Sequence, residues 1–311
     1  MNNSIIRVQN GLGDKLLDVI GFYVICKYLN YIPNIELNSI IREYDWGNNN
    51  YDTRLFNFND LIKINNSQCP YFINSPCPSS SLCPYKVYIF LKNILPEITF
   101  EEISSCYKIY SKEIIKPSEV IISKIPYNIE NAYGIHLRKS DKVKNGDIRH
   151  ENTIDEFQII TDKLLVNIKN IILNEDEPVF LVVSEDEKWK NEIKNIINNT
   201  TNKKIQIIDI DYTNENNYDN YKSVLDMFCL SKCKNILQGV KYSTFSILAS
   251  ILGNCKLINY SHYLNNHNIC LIHTWSSVIE INNIKNFDVN FHKTVTNSVN
   301  NIDTNITKKY T

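Results

Sequence analysis

The segment 133–143, YGIHLRKSDKV, joins an apolar run to a burst of charge. Gly134, Ile135, His136 and Leu137 read as the end of a buried strand, and Arg138, Lys139, Ser140, Asp141 and Lys142 follow at its carboxyl end. Open α/β sheets hold ligands at that end, and a planar guanidinium placed there matches the paired oxygens of a phosphate. The chemistry this spacing suits is a pyrophosphate clamp. The plain alternative is a solvated turn beside a core histidine.

Three other stretches carry residues of the same kind. In NGLGD, Gly11 and Gly13 stand between a short strand (4–9) and an apolar helix, where glycine lets the backbone approach a ligand, or simply another element, closely. In FLVVSED, Ser184, Glu185 and Asp186 end a strand; carboxylates there can accept hydrogen bonds from a ligand, or favour the positive end of the next helix. In VKYSTF, Tyr242, Ser243 and Thr244 open a helix, so hydroxyls and free N–H groups form an anion site, with N-capping by Ser243 as the structural alternative. Asp209 and Asp211 spell a paired acid of the kind that binds metal, but Asp209 reads better as a strand-end turn residue. Cys69, Cys77, Cys83 and Cys106 lack the close pairs of common zinc sites and read as loop thiols. No Walker loop, HExxH or serine-histidine-acid order is present.

The elements that must position these residues alternate. Strands at 133–138, 179–184, 205–210, 235–238 and 255–259 separate helices at 154–173, 187–197, 221–232 and 243–252, which predicts a parallel sheet with crossover helices. The first half opens with strand, glycine turn and helix, adds a strand at 34–37, a short strand or turn and then a helical piece within 54–64, and helices at 86–95, 100–112 and 117–126. We expect an α/β protein of two Rossmann-like domains, 1–126 and 127–288, with an Asn/Thr-rich tail at 289–311. A chain of 311 residues with 43% hydrophobic residues can bury such cores. Its net charge of −1 argues against nucleic acid or an anionic membrane as partner. The odd count of nine cysteines and the absence of a signal-like start or an apolar run of roughly 18 residues predict a cytoplasmic protein without a membrane span.

HLRKSDKV resembles the HxRRTDKV signature of the α1,6- and nodulation fucosyltransferases, and more loosely the HxRRGD of bacterial α1,2-fucosyltransferases. Lys139 replaces the second arginine and Ser140 the threonine. NGLGD resembles a cleft-facing GLGD loop of the same family, FLVVSED its ATDD stretch, and LDMFCLSKCKNILQGVKYSTFSILAS its LDxxxLSxxDxxVxTxSSxxxRxAxE block. In that last block Ile247 stands where a basic residue is usual, leaving Lys241 as a substitute cation. The resemblance implies a GT-B fold with facing sheets, and transfer of L-fucose from GDP-fucose to a glycan acceptor with inversion, without metal or cofactor. It implies that Arg138 grips the diphosphate, and that Gly11, Gly13, His136, Lys142, Ser184, Glu185, Asp226, Tyr242, Ser243 and Thr244 line the nucleotide-sugar site. A base must take the acceptor's proton, and Asp14, Asp141 and Asp147 are the candidates by position. Other readings are a GT-B-like transferase of a different donor, such as a heptosyl- or pyruvyl-transferase, and an inactive nucleotide-sugar-binding protein.

Overall fold

A computed structural model describes residues 3–7, 11–30, 32–36, 52–58, 63–64, 84–138, 154–200, 203–240, 243–260 and 279–281. The second half is a parallel sheet built on β6 (Tyr133–Leu137), whose five residues are all buried. Its partners are β7 (Val179–Ser184), β8 (Gln206–Ile208), β9 (Asn235–Gln238), β10 (Lys256–Asn259) and β11 (Ile279–Ile281), in the order β11-β10-β9-β6-β7-β8. Counted from β6, that order is 3-2-1-4-5-6 read from the β8 edge, the doubly wound arrangement. Strand β11 falls beyond the elements expected from sequence.

Alternate residues of β7 enter different cores, as a strand's period of two demands. Phe180 and Val182 pack with α5 (Ile154–Asn174) and α6 (Glu187–Asn199). Leu181 and Val183 belong to the core that holds α7 (Tyr221–Lys232) and α8 (Thr244–Gly253). Helices therefore cover both faces, which is why these strands are nearly continuous apolar runs.

The first half has its own parallel sheet, β1-β2-β4, from β1 (Asn3–Arg7), β2 (Ile32–Glu36) and β4 (Lys63–Ile64). A second pair joins β3 (Phe56–Phe58) antiparallel to β5 (Ile115–Pro117). Helix α1 (Leu12–Tyr28) is apolar nearly all round and correspondingly buried, surrounded by α2 (Pro84–Lys92), α3 (Phe100–Ile114) and α8. A capping box at Thr99 and Glu102 starts α3. Residues 63–64, expected in a helical piece, instead extend the sheet beside β2. The last helix before 127 is one turn, α4 (Glu119–Ile122), rather than a helix reaching Pro126. Residues 69–83 of the expected Cys/Pro loop and the 289–311 tail lie outside the described residues, while Pro84 opens α2. One apolar core runs through α1 and α3 into α7 and α8.

The glycine turn differs from its expected form, and the difference matters for that core. Gly11 is the N-cap of α1, so Gly13 and Asp14 are in the helix's first turn and not in a loop. A Cβ on Gly13 would stand 2.5 Å from the backbone of Thr244 and Phe245 in α8. Only a bare Cα lets the two backbones meet. A Cβ on Gly11 would meet nothing within 4 Å. Gly13→Ala is therefore expected to lower stability by about 2–3 kcal/mol through forced separation of the helices. Gly11→Ala should lose no more than about 1 kcal/mol, the cost of a poorer N-cap. Urea unfolding of the two variants measures the contrast.

Candidate functional site

Strand β6 leads into a helix on one face of the sheet and its neighbour β9 into a helix on the other, so a crevice opens beyond their carboxyl ends. The register pairs His136 with Gln238, and the Gly239 N–H donates to the His136 carbonyl at 2.8 Å. Half-buried Arg138 follows β6 directly, and Ser243 opens α8 shortly after β9. The two residues thus arrive at one crevice from adjacent strands.

Helix α8 begins without the usual side-chain cap. Ser243 has an extended backbone (φ −154°, ψ 113°), and its hydroxyl makes no capping bond to the helix. That oxygen is buried and has no hydrogen-bond partner among the described residues, which removes the N-capping alternative. The Thr244, Phe245 and Ser246 N–H groups belong to the first turn and have no intrahelical acceptor. Helix α1 begins in the same place with glycine as N-cap. Because Gly13 touches Thr244 and Phe245, two positive helix ends converge. Asp14, half-buried in the first turn of α1, offsets part of that potential. Beside it Lys15 is buried, and burial pushes its ammonium down to about 8.

His136 lies beneath this convergence. Its ring centroid is 5.1 Å from that of Phe245, and its Nδ1 is 3.2 Å from the Ser246 hydroxyl. Burial, with a smaller contribution from the Arg138 charge, pushes its pKa down to about 3, so the ring is neutral. The Asn259 amide donates to the Gln238 side-chain oxygen at 2.7 Å, and the Gln238 amide donates to the Ser243 carbonyl at 3.3 Å. Phe245, Ser246, Gln238 and Asn259 were not among the candidates from sequence. The signal available was an amide closing each of two apolar strands, NILQ and KLIN.

The other candidates are placed differently. Ser184 pairs with Leu137 at the end of β7, but its hydroxyl accepts the Asp186 N–H at 3.0 Å. Asp186 caps α6 by accepting the Trp189 N–H, as the helix-start alternative requires, while Glu185 is exposed beside it. Asp226 sits in a second cluster, on the segment that follows β8. It accepts the Tyr212 hydroxyl at 2.5 Å, and Lys190 and Lys222 stand 5.2 and 5.0 Å from the Tyr212 ring centre. Glu187 pairs with both lysines. Asp209 and Asp211 are engaged by Lys194 and Lys124, each at 2.5 Å. Among the described residues no cluster of three or more His, Cys, Asp or Glu is placed to hold a metal. Lys139, Asp141, Lys142, Asp147, Lys241 and Tyr242 lie outside the described residues.

Similar structures exist for this arrangement. An α1,6-fucosyltransferase NodZ crystal soaked with GDP-fucose aligns over 85% of this chain and 98% of its own, with a TM-score of 0.51 at 11% identity. The selenomethionine form of NodZ from Bradyrhizobium aligns over the same shares with a TM-score of 0.50. The fold is that of the GT-B fucosyltransferases. No sequence family matches the chain, and no curated protein sequence does. The likeness therefore rests on the arrangement of elements alone. Among the described residues no helix is long and apolar enough to cross a membrane.

The Asp226 cluster yields a pH dependence. Burial raises the Asp226 carboxyl from 3.8 to about 6, with Tyr212 and the lysines opposing the shift. Between those values the folded protein holds a proton that the unfolded chain has released, so stability falls as pH rises from about 4 to about 6. Asp226→Asn retains an oxygen for Tyr212 and removes the titration. Unfolding free energies across this range should show the wild type losing on the order of 2–3 kcal/mol relative to the variant. Parallel curves would mean that Asp226 ionises at its ordinary value.

Proposed function

We propose that the protein transfers L-fucose from GDP-fucose to a glycan acceptor, with inversion and without metal. The observation that carries this reading is the meeting of two helix N-termini beside Arg138, with the Ser243 hydroxyl turned to no partner among the described residues. Such a place favours a compact anion, and a diphosphate matches it. As the bond from sugar to diphosphate breaks, negative charge grows on the leaving GDP. Fixed positive groups stabilise that state more than the ground state. Arg138 supplies a two-pronged contact, and the first turns of α1 and α8 supply N–H dipoles. Glu185, exposed at the end of β7, is the candidate for the nucleoside. Asp14 is the candidate base among the described residues, held where the acceptor would enter from the first half.

GDP is expected to raise the melting temperature and UDP to leave it unchanged, since a ligand bound only to the folded state stabilises it. Transfer from GDP-fucose should persist in EDTA. Equal shifts with both nucleotides would remove guanine selectivity, and loss on chelation with rescue by Mn²⁺ would remove metal independence.

Replacing Arg138 by alanine should cost on the order of 2–4 kcal/mol in the transition state, hence a rate loss of about thirty- to a thousandfold with the fold retained. Arg138→Lys should recover only part, because a point charge cannot replace the fork. Turnover of GDP-fucose with circular dichroism as the folding control is the measurement. Wild-type turnover in a folded Arg138→Ala protein would make this segment a structural turn.

A further inference from the structure

The Ser243 carbonyl is approached by three donors. The Ile247 N–H reaches it at 3.2 Å as the first intrahelical bond of α8, the Gln238 amide at 3.3 Å, and the Ser246 hydroxyl lies at 3.3 Å. A carbonyl oxygen has two lone pairs. The helix bond occupies one. Gln238 is committed to the other, because its side-chain oxygen is taken by Asn259 and turning the amide over would set two acceptors against each other. Gln238 is fully buried and Asn259 nearly so, which leaves no water to satisfy a reversed amide. The Ser246 hydroxyl has one proton and a second acceptor within reach, His136 Nδ1 at 3.2 Å. With the carbonyl filled, that proton goes to the ring. Nδ1 is then the acceptor and the ring's own hydrogen is on Nε2, to which no described residue hydrogen-bonds.

We propose that Gln238, anchored by Asn259, is a positioning residue that sets the tautomer of His136, so that Nε2–H is a fixed neutral donor for an acceptor oxygen of the ligand beside Arg138. The identity of that oxygen, a phosphate oxygen of a nucleoside diphosphate, rests on the function proposed above; the tautomer does not. The ring stays neutral in the folded protein through burial and the Arg138 charge, so the donor is present across the ordinary pH range. A fixed donor of this kind suits an acceptor-only oxygen and opposes a ligand N–H at the same position.

The test reads the two states apart. In ligand-free protein labelled with ¹⁵N-histidine, the ring nitrogens of His136, assigned by loss of signal in His136→Gln, are expected to show the hydrogen on Nε2. Gln238→Met removes one donor from the Ser243 carbonyl, so the Ser246 hydroxyl should turn to it and the hydrogen of His136 should move to Nδ1. Ser246→Thr keeps a hydroxyl at that position and should keep the wild-type tautomer. A hydrogen on Nδ1 in the wild type overturns the proposal even if no variant folds. An unchanged tautomer in folded Gln238→Met overturns the role of Gln238. With GDP as probe, Gln238→Met should bind about tenfold more weakly than the wild type. Absence of GDP binding by the wild type would instead refute the proposed donor and leave the tautomer result standing.

Discussion

Everything at the candidate site depends on one backbone-to-backbone contact, the approach of Gly13 to Thr244 and Phe245. A helix N-terminus is a weak anion site by itself, and two brought together without a ligand repel. The contact is held because α1 and α8 bury apolar faces in one core, so the hydrophobic gain of packing offsets the cost of setting like poles side by side. The polar groups are then arranged by what surrounds them. Phe245 lies against His136, Ser246 faces its ring, and amides from the ends of β9 and β10 lock the first turn of α8 from beneath.

Much of the second half was legible because its strands and helices have contrasting periods and clean ends. Val179–Ser184, Tyr221–Lys232 and Asn235–Gln238 fall on their expected boundaries, and Asp186 starts α6 as an acid before an amphipathic helix should. The first half was read less well where elements are short. Lys63–Ile64 carries no periodicity of its own and is a strand only because β2 lies beside it. The register of β6 with β9, which brings Arg138 and Ser243 to one crevice, is a tertiary fact with no local trace.

The glycines show the same limit at a single residue. NGLGD announces two positions that tolerate close approach, but it does not say what approaches. Gly11 is open and Gly13 is filled by another helix. Asp226 shows the converse. Its place in a block resembling a nucleotide-binding segment suggests a ligand, while the fold turns it toward Tyr212 and a pair of lysines. Lys222 lies one turn before it on the same helix, but Lys190 comes from a different helix, a neighbour that chain order does not reveal.

The continuous core has a consequence for how the protein behaves as a whole. Leu16, Ile20 and Tyr107 from the first half share it with Val224, Leu225 and Leu248 from the second. A bilobed protein whose lobes have separate cores can lose one and keep the other. Here, removing either sheet's helices would strip apolar surface from the other set, so the lobes should melt as one cooperative unit. Ligand energy gained at the crevice would then be felt by the amides of α3 as much as by those of α8, and slowed hydrogen exchange would spread across both lobes from a molecule touching only their meeting point.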